Sequence, residues 1–239
     1  MRHSVRRSRH LFGGRKDLSD QPAYSVAAAA HYLKLPKATL RAWVSGRTYT
    51  TATESKFSKP LIAIADPAGG YLSFVNLVEV HVLAAIRRHH GVQLDKVRFA
   101  LDYLGKHFPI EHPLASHEFE TDGLDLFVEK YGRLYNASRE GQQTVRELLH
   151  DHLQQVEYDA AGTPIRLFPF TSKNLYSNER TVEINPAISF GRPVIASTGI
   201  PIEVVSERFL AGESIEELAS DYNLSPAAIQ QAIRCEQAA

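Results

Sequence analysis

Apolar residues in this chain recur mostly at helical spacing, broken by short alternating runs. Ser25 is an N-cap ahead of a short helix over Val26–Leu33, and Pro36 opens a second over Lys37–Ser45, closed by Gly46. Two short helices with a tight turn between them predict a helix-turn-helix. Two β-like runs follow, Pro60–Ala65 and Tyr71–Phe74, separated by the turn residues Asp66-Pro67-Ala68-Gly69-Gly70; together they predict a wing. A helix then carries Val75, Val78, Val82 and Ile86 on one face. After Gly91 another carries Leu94, Val97, Leu101, Leu104 and Phe108, ended by Pro109.

The stretch 111–185 is less regular. Leu126–Val128 and Arg133–Tyr135 predict a hairpin across Glu129–Gly132, Thr144–Leu153 a helix, and Val156–Tyr158 with Pro164–Phe168 a second hairpin around Asp159–Thr163. From Pro186 the helical period returns. Ile202, Val205 and Phe209 form one stripe. Ser214 and Glu217 form a capping box before Ile215, Leu218, Ala219 and Tyr222. Ser225-Pro226 starts a last helix with Ile229 and Ile233. The predicted class is mainly α with small β hairpins (α+β). A basic arm (1–22) precedes a winged helix-turn-helix (23–110), a middle α+β module (111–185) and a three-helix C-terminal unit (186–239).

The chain repeats itself. Ser25–Ser45 aligns without a gap with Ser214–Arg234 at a constant offset of 189 residues. Ser25 matches Ser214, Val26 Ile215, Ala30 Ala219, Leu35 Leu224, Leu40 Ile229 and Val44 Ile233. These are cap and core positions. Where the first copy has Lys37, Arg41 and Arg47, the second has Pro226, Gln230 and Glu236.

The net charge of zero hides a gradient. Residues 1–59 carry +9, residues 60–110 +1, residues 111–185 −6 and residues 186–239 −4. A helix presented to DNA needs cations for the phosphates, and only the first copy has them. The second sits in an acidic segment and is expected to pack on its own chain, a sister subunit or a protein partner. The single cysteine, Cys235, excludes an intrachain disulfide, and no apolar run is long enough to span a bilayer. A cytoplasmic location is the expectation. Arg6-Arg7 lacks the apolar segment of a twin-arginine export signal and belongs to the basic arm.

The segment Tyr24–Trp43 (YSVAAAAHYLKLPKATLRAW), continued by Tyr71–Glu79, resembles the MerR-type winged helix-turn-helix. The resemblance implies that Lys37, Thr39 and Arg41 begin the recognition helix, that Arg47 lies just beyond it, and that Trp43 packs in the core. Arg6 and Arg7 are further DNA-contact candidates from the arm. MerR-type chains continue into a long dimerising coiled coil; here the helix stops at Pro109 and a different module begins.

Gly191–Ile200 (GRPVIASTGI), with Phe209–Ala219, Asp221-Tyr222 and the Ser225-Pro226 helix, resembles a small antitoxin-associated family of unassigned function that accompanies PIN-fold ribonuclease toxins. Over nearly its whole length the chain resembles mycobacterial VapB-type antitoxins. Many relatives have arginine where this chain has Gly199. The resemblance implies a non-enzymatic, cofactor-free protein. It would bind operator DNA as a homodimer or higher homo-oligomer, repress its own operon and block a magnesium-dependent ribonuclease toxin. A basic side chain entering a ring of carboxylates would compete with the metal. Arg192, Arg208 and Arg234 are the only Lys or Arg after Pro186, and all three are toxin-binding candidates.

Two other readings stay open at this stage. One is a stand-alone MerR-like regulator whose middle module binds a small molecule. The other is a metal-dependent nuclease built on Glu118, Glu120, Asp122 and Asp125. His107, His112 and His117 are evenly spaced, but Pro109 and Pro113 keep them off one helical face, and no metal site is expected from them.

Overall fold

The computed structural model describes residues 18–50, 54–88, 94–107, 111–117, 119, 123–135, 139–170 and 180–237. Arg6 and Arg7, and Glu118, Glu120 and Asp122 of the acidic run, lie outside them. The fold is mainly helical, with antiparallel two-stranded sheets.

The chain enters through a 3-10 turn at Leu18–Asp20, where buried Ser19 donates its hydroxyl to the Pro164 carbonyl at 3.0 Å. Strand β1 (Tyr24–Ser25) leads into α1 (Val26–Tyr32) and α2 (Lys37–Ser45). Gly46 has φ +73°, and a Cβ there would lie 2.4 Å from the Ser58 carbonyl oxygen. Glycine is thus required where the chain reverses into β2 (Arg47–Thr50) and β3 (Ser55–Ser58). Strand β4 (Tyr71–Leu72) pairs with β1, Tyr24 opposite Leu72.

The wing therefore differs from the sequence expectation. The hairpin is Arg47–Ser58, and Pro60–Ala65 is not a strand. The reason is where its backbone groups go. The amides of Leu61 and Ile62 both donate to the Trp43 carbonyl, at 2.7 and 3.2 Å. Fully buried Asn76 takes the Ala65 amide on Oδ1 at 2.9 Å and donates Nδ2 to the Ala63 carbonyl at 2.9 Å. A segment in which several of the groups are claimed by a helix end and a side chain cannot keep the regular pairing of a ladder.

Helix α3 (Phe74–Arg88) runs through the larger core. One apolar stripe is expected from its sequence, yet from Phe74 to Ile86 every residue is buried, including Glu79 and His81. A helix covered on all sides lies inside a core rather than on it. It packs against the Leu18–Asp20 turn, the turn at Pro113–Ala115, the helix Arg139–Leu153 and the strand Pro164–Leu167.

Helix α4 (Leu94–His107) packs on α5 (Leu124–Tyr135), and α5 on α6 (Arg139–Leu153). The hairpin predicted from Leu126–Val128 and Arg133–Tyr135 is this continuous α5. Its Leu124, Phe127 and Val128 are buried at helical spacing. Gly132 is no turn residue: a Cβ there would meet the Gln142 side chain of α6 at 2.5 Å, so its absence lets the two helices approach. The second predicted hairpin is present, as β5 (Val156–Tyr158) paired with β6 (Pro164–Leu167).

Core residues from Tyr24 to Ile184 form one continuous cluster, so the middle stretch and the helix-turn-helix share an interior. A second cluster belongs to the C-terminal unit. Strand β7 (Val182–Glu183) pairs with β8 (Val194–Ile195), and α7 (Ile202–Leu210), α8 (Ile215–Tyr222) and α9 (Pro226–Gln237) close around Val205, Leu218, Ile229 and Ala232. The capping box is formed: the Glu217 amide donates to Ser214 Oγ at 3.2 Å, and the Ser214 amide to Glu217 Oε2 at 2.8 Å. No helix among the described residues is long and apolar enough to cross a membrane.

Candidate nucleic-acid interface

Ser25 accepts the Ala28 amide at 3.1 Å and starts α1. Lys34, at φ +52°, turns the chain toward α2. Helix α2 buries Leu40, Trp43 and Val44 on one side, which turns its remaining positions outward. Lys37 and Arg41, one turn apart, are exposed, as is Arg47 at the start of the hairpin. Thr39 is half-buried. Trp43 is core, at 1% exposure.

The other flank of α2 borders an open cleft of about 570 Å³. The small Ala38 and Ala42 leave room for it. Thr39, Arg47, Tyr49 and Ser58 line it on one side, and Arg87, Asp95 and Arg98 from α3 and α4 on the other. The structure thus brings Thr39 and Arg47 to one cleft and sets Lys37 and Arg41 beside it. Sequence reasoning misses Tyr49, Lys56, Arg87 and Arg98. The alternation Thr48-Tyr49-Thr50 signals a strand, but the sequence after it, Thr51-Ala52-Thr53, has no glycine, proline or asparagine to mark a turn.

The second helix-turn-helix copy lies against the first. His31 Nε2 of α1 meets Glu236 Oε1 of α9 at 2.8 Å, and Lys34 Nζ donates to the Glu236 carbonyl at 3.1 Å. Lys34 also lies 5.5 Å from the centre of the Phe170 ring. Burial holds the Lys34 ammonium below the usual lysine range against the pull of Glu236. His31, Tyr32, Arg192, Glu203 and Glu236 border a seam cavity of about 240 Å³. Burial pushes the Cys235 thiol, also on α9, up to about 11, far from a reactive thiolate.

The three C-terminal arginines are placed differently. Arg208 is held by Glu213 and by Asp221 at 2.6 Å, with Tyr222 beneath its guanidinium. Arg192 donates Nε to the Ser189 carbonyl at 3.3 Å. Arg234 is exposed and makes no ion pair among the described residues. Of the evenly spaced histidines, His112 meets buried Glu79 at 3.0 Å, and His117 packs edge-on against Tyr158. Asp125 pairs with Arg146 at 2.6 Å. Among the described residues no three His, Cys, Asp or Glu side chains group as metal ligands.

Residues 22–101 match a family described as "Putative DNA-binding HTH domain", and residues 182–234 match "Protein of unknown function (DUF433)". Across 90% of its length the chain is 31% identical to "Putative antitoxin VapB45" of Mycobacterium tuberculosis, covering 93% of that protein. It is 25% identical to "Uncharacterized protein Rv2308" of the same organism, over 90% of each chain. The crystal structure of Rv2018 from Mycobacterium tuberculosis shares the fold: the TM-score is 0.64 at 23% identity, covering 90% of this chain and 98% of that one. The helix-turn-helix before the shared core, the unit closed around Val205 and Leu218, and this likeness along the whole chain make it a member of the VapB-type antitoxin family with a DNA-binding helix-turn-helix near its N-terminus.

Proposed function

We propose that this chain is a non-enzymatic, cytoplasmic antitoxin with two binding faces. Helix α2 and the β2–β3 hairpin bind operator DNA, and the chain, as a homodimer or higher oligomer, represses its own operon. The C-terminal unit neutralises a PIN-fold, magnesium-dependent ribonuclease toxin. The observation that carries the reading is the contrast between the two helix-turn-helix copies. Lys37, Arg41 and Arg47 stand exposed on the first, whereas the second presents Glu216, Glu217 and Asp221. A phosphate backbone is attracted to the former and repelled by the latter. Of the C-terminal cations Arg234 suits a carboxylate ring best, because Arg208 is already paired within its own unit.

Two measurements on the full chain test this. Co-expression with the product of the adjacent reading frame should give a stable complex in which magnesium-dependent RNA cleavage is suppressed. A labelled duplex from directly upstream of its own operon should bind with strongly salt-dependent affinity. A neighbouring product that neither co-purifies nor is inhibited overturns the antitoxin role. A duplex bound no more tightly at low salt than at high salt overturns the DNA role.

A further inference from the structure

The β2–β3 hairpin has little to hold it. Residues Arg47–Thr50 and Ser55–Phe57 are all exposed, and Phe57 is 60% exposed. An isolated two-stranded hairpin is at best marginally stable in water. Its register nevertheless sorts its side chains. Arg47 opposite Ser58 and Tyr49 opposite Lys56 share one face, and Thr48 opposite Phe57 the other. The face with Arg47, Tyr49 and Ser58 lines the cleft beside α2, so the hairpin's cations are useful only while that face is held there.

The holding group comes from α4. Arg98 Nη2 donates to Ser58 Oγ at 3.3 Å and to the Lys59 carbonyl at 2.6 Å, and Nη1 donates to the Pro60 carbonyl at 2.9 Å. Three acceptors on consecutive residues at the base of β3 are thus gripped by one planar fork. A lysine, with a single ammonium on a flexible stem, cannot reproduce that geometry.

We propose that Arg98 is a positioning residue for DNA binding, fixing the Arg47–Tyr49–Lys56 face of the hairpin against the recognition helix. It acts through the hairpin, three of its guanidinium N–H groups being given to Ser58, Lys59 and Pro60. The inference rests on the DNA-binding reading above.

The test uses the full chain, a labelled duplex from upstream of its operon, and the variants Arg98→Ala and Arg98→Lys, the second keeping the charge. Both variants should weaken binding by about tenfold at moderate salt. Both should lower the slope of log affinity against log salt by about two, for the phosphate contacts of Arg47 and Lys56. Lys56→Ala should lower the slope by about one in the wild-type background and leave it unchanged in Arg98→Lys. Independently of DNA, amide exchange of the hairpin should quicken in Arg98→Lys while that of α2 and α4 stays as in the wild type. A wild-type chain that ignores the duplex overturns the DNA reading. A wild-type chain that binds while Arg98→Lys matches it in affinity and slope overturns the positioning role, as does unchanged hairpin exchange.

Discussion

The hydroxyl of Tyr24 lies against the Cα of Gly191, so close that a methyl group there would sit 2.1 Å from Tyr24 Oη. Tyr24 begins the helix-turn-helix and Gly191 lies in the C-terminal unit, so this contact locks one to the other across the chain. Gly191 also has φ +74°. Gly191→Ala should therefore destabilise the protein by about 2–4 kcal/mol, from overpacking and left-handed backbone together. Tyr24 Oη has no hydrogen-bond partner among the described residues, so Tyr24→Phe alone should cost little and should relieve part of the Gly191→Ala penalty. Urea unfolding of the two single variants and the double variant checks this; strictly additive losses would show that the two sites do not touch.

Arg41→Ala should weaken binding of the upstream duplex and reduce the salt slope by about one. The side chain is exposed one turn beyond Lys37 on α2. Anisotropy titrations at several salt concentrations give both quantities. An unchanged affinity across the series would remove Arg41 from the interface.

Stability should fall as pH rises through the neutral range. Burial pushes the Glu79 carboxyl above its usual range, opposed by its bonds to His112 and Asn76. The hydrogen bond that His112 donates to the Glu79 carboxylate raises it above the ordinary imidazole value against the opposing effect of burial, with Glu111 and Asp20 adding to the rise. Each group holds its proton more tightly folded than unfolded. The stabilisation from His112 is thus complete below about pH 6.5, the unfolded imidazole value, and is lost as pH climbs through the higher folded one. Denaturant midpoints from pH 6 to 9 should decline, and His112→Gln should flatten the decline. A profile identical in the two proteins would exclude the pair as its source.

Arg234→Glu should leave duplex binding intact and weaken the complex with the toxin by about 2–5 kcal/mol. Arg208→Glu should act differently. It breaks ties to Glu213 and Asp221 within the C-terminal unit, so it should lower the unfolding midpoint as well. Calorimetry on the purified complex, with a melting curve for each variant, separates the two. Full toxin neutralisation by Arg234→Glu would place the contact elsewhere.

The helices of both helix-turn-helix copies were legible because their ends are written in local chemistry. Ser25, Pro36, the Ser214–Glu217 box and Pro226 need only neighbours within a few residues. What escaped was decided at a distance. Residues 60–65 look like a strand until Trp43 and Asn76 claim their backbone groups. Leu126–Val128 looks like half a hairpin until α4 and α6 supply the surfaces that favour one continuous helix. The seam at His31, Lys34 and Glu236 joins residues about two hundred positions apart, and no periodicity reports such a contact. Among the candidate interface residues, the exposed position of the cations on α2 follows from the turn-helix pattern, whereas Arg98 enters only through the placement of α4 beside the hairpin.

Helix α3 has no wet side from Phe74 to Ile86, and this limits how the polypeptide can be divided. A fragment ending after α4 would keep α3 but strip away the Pro113–Ala115 turn, α6 and β6, baring one flank of it to water. Apolar side chains on that flank would meet water, and self-association is the expected fate of such a piece. The shortest autonomous helix-turn-helix unit must therefore run from Leu18 through Ile184, so α2 comes only with a scaffold several times its own length.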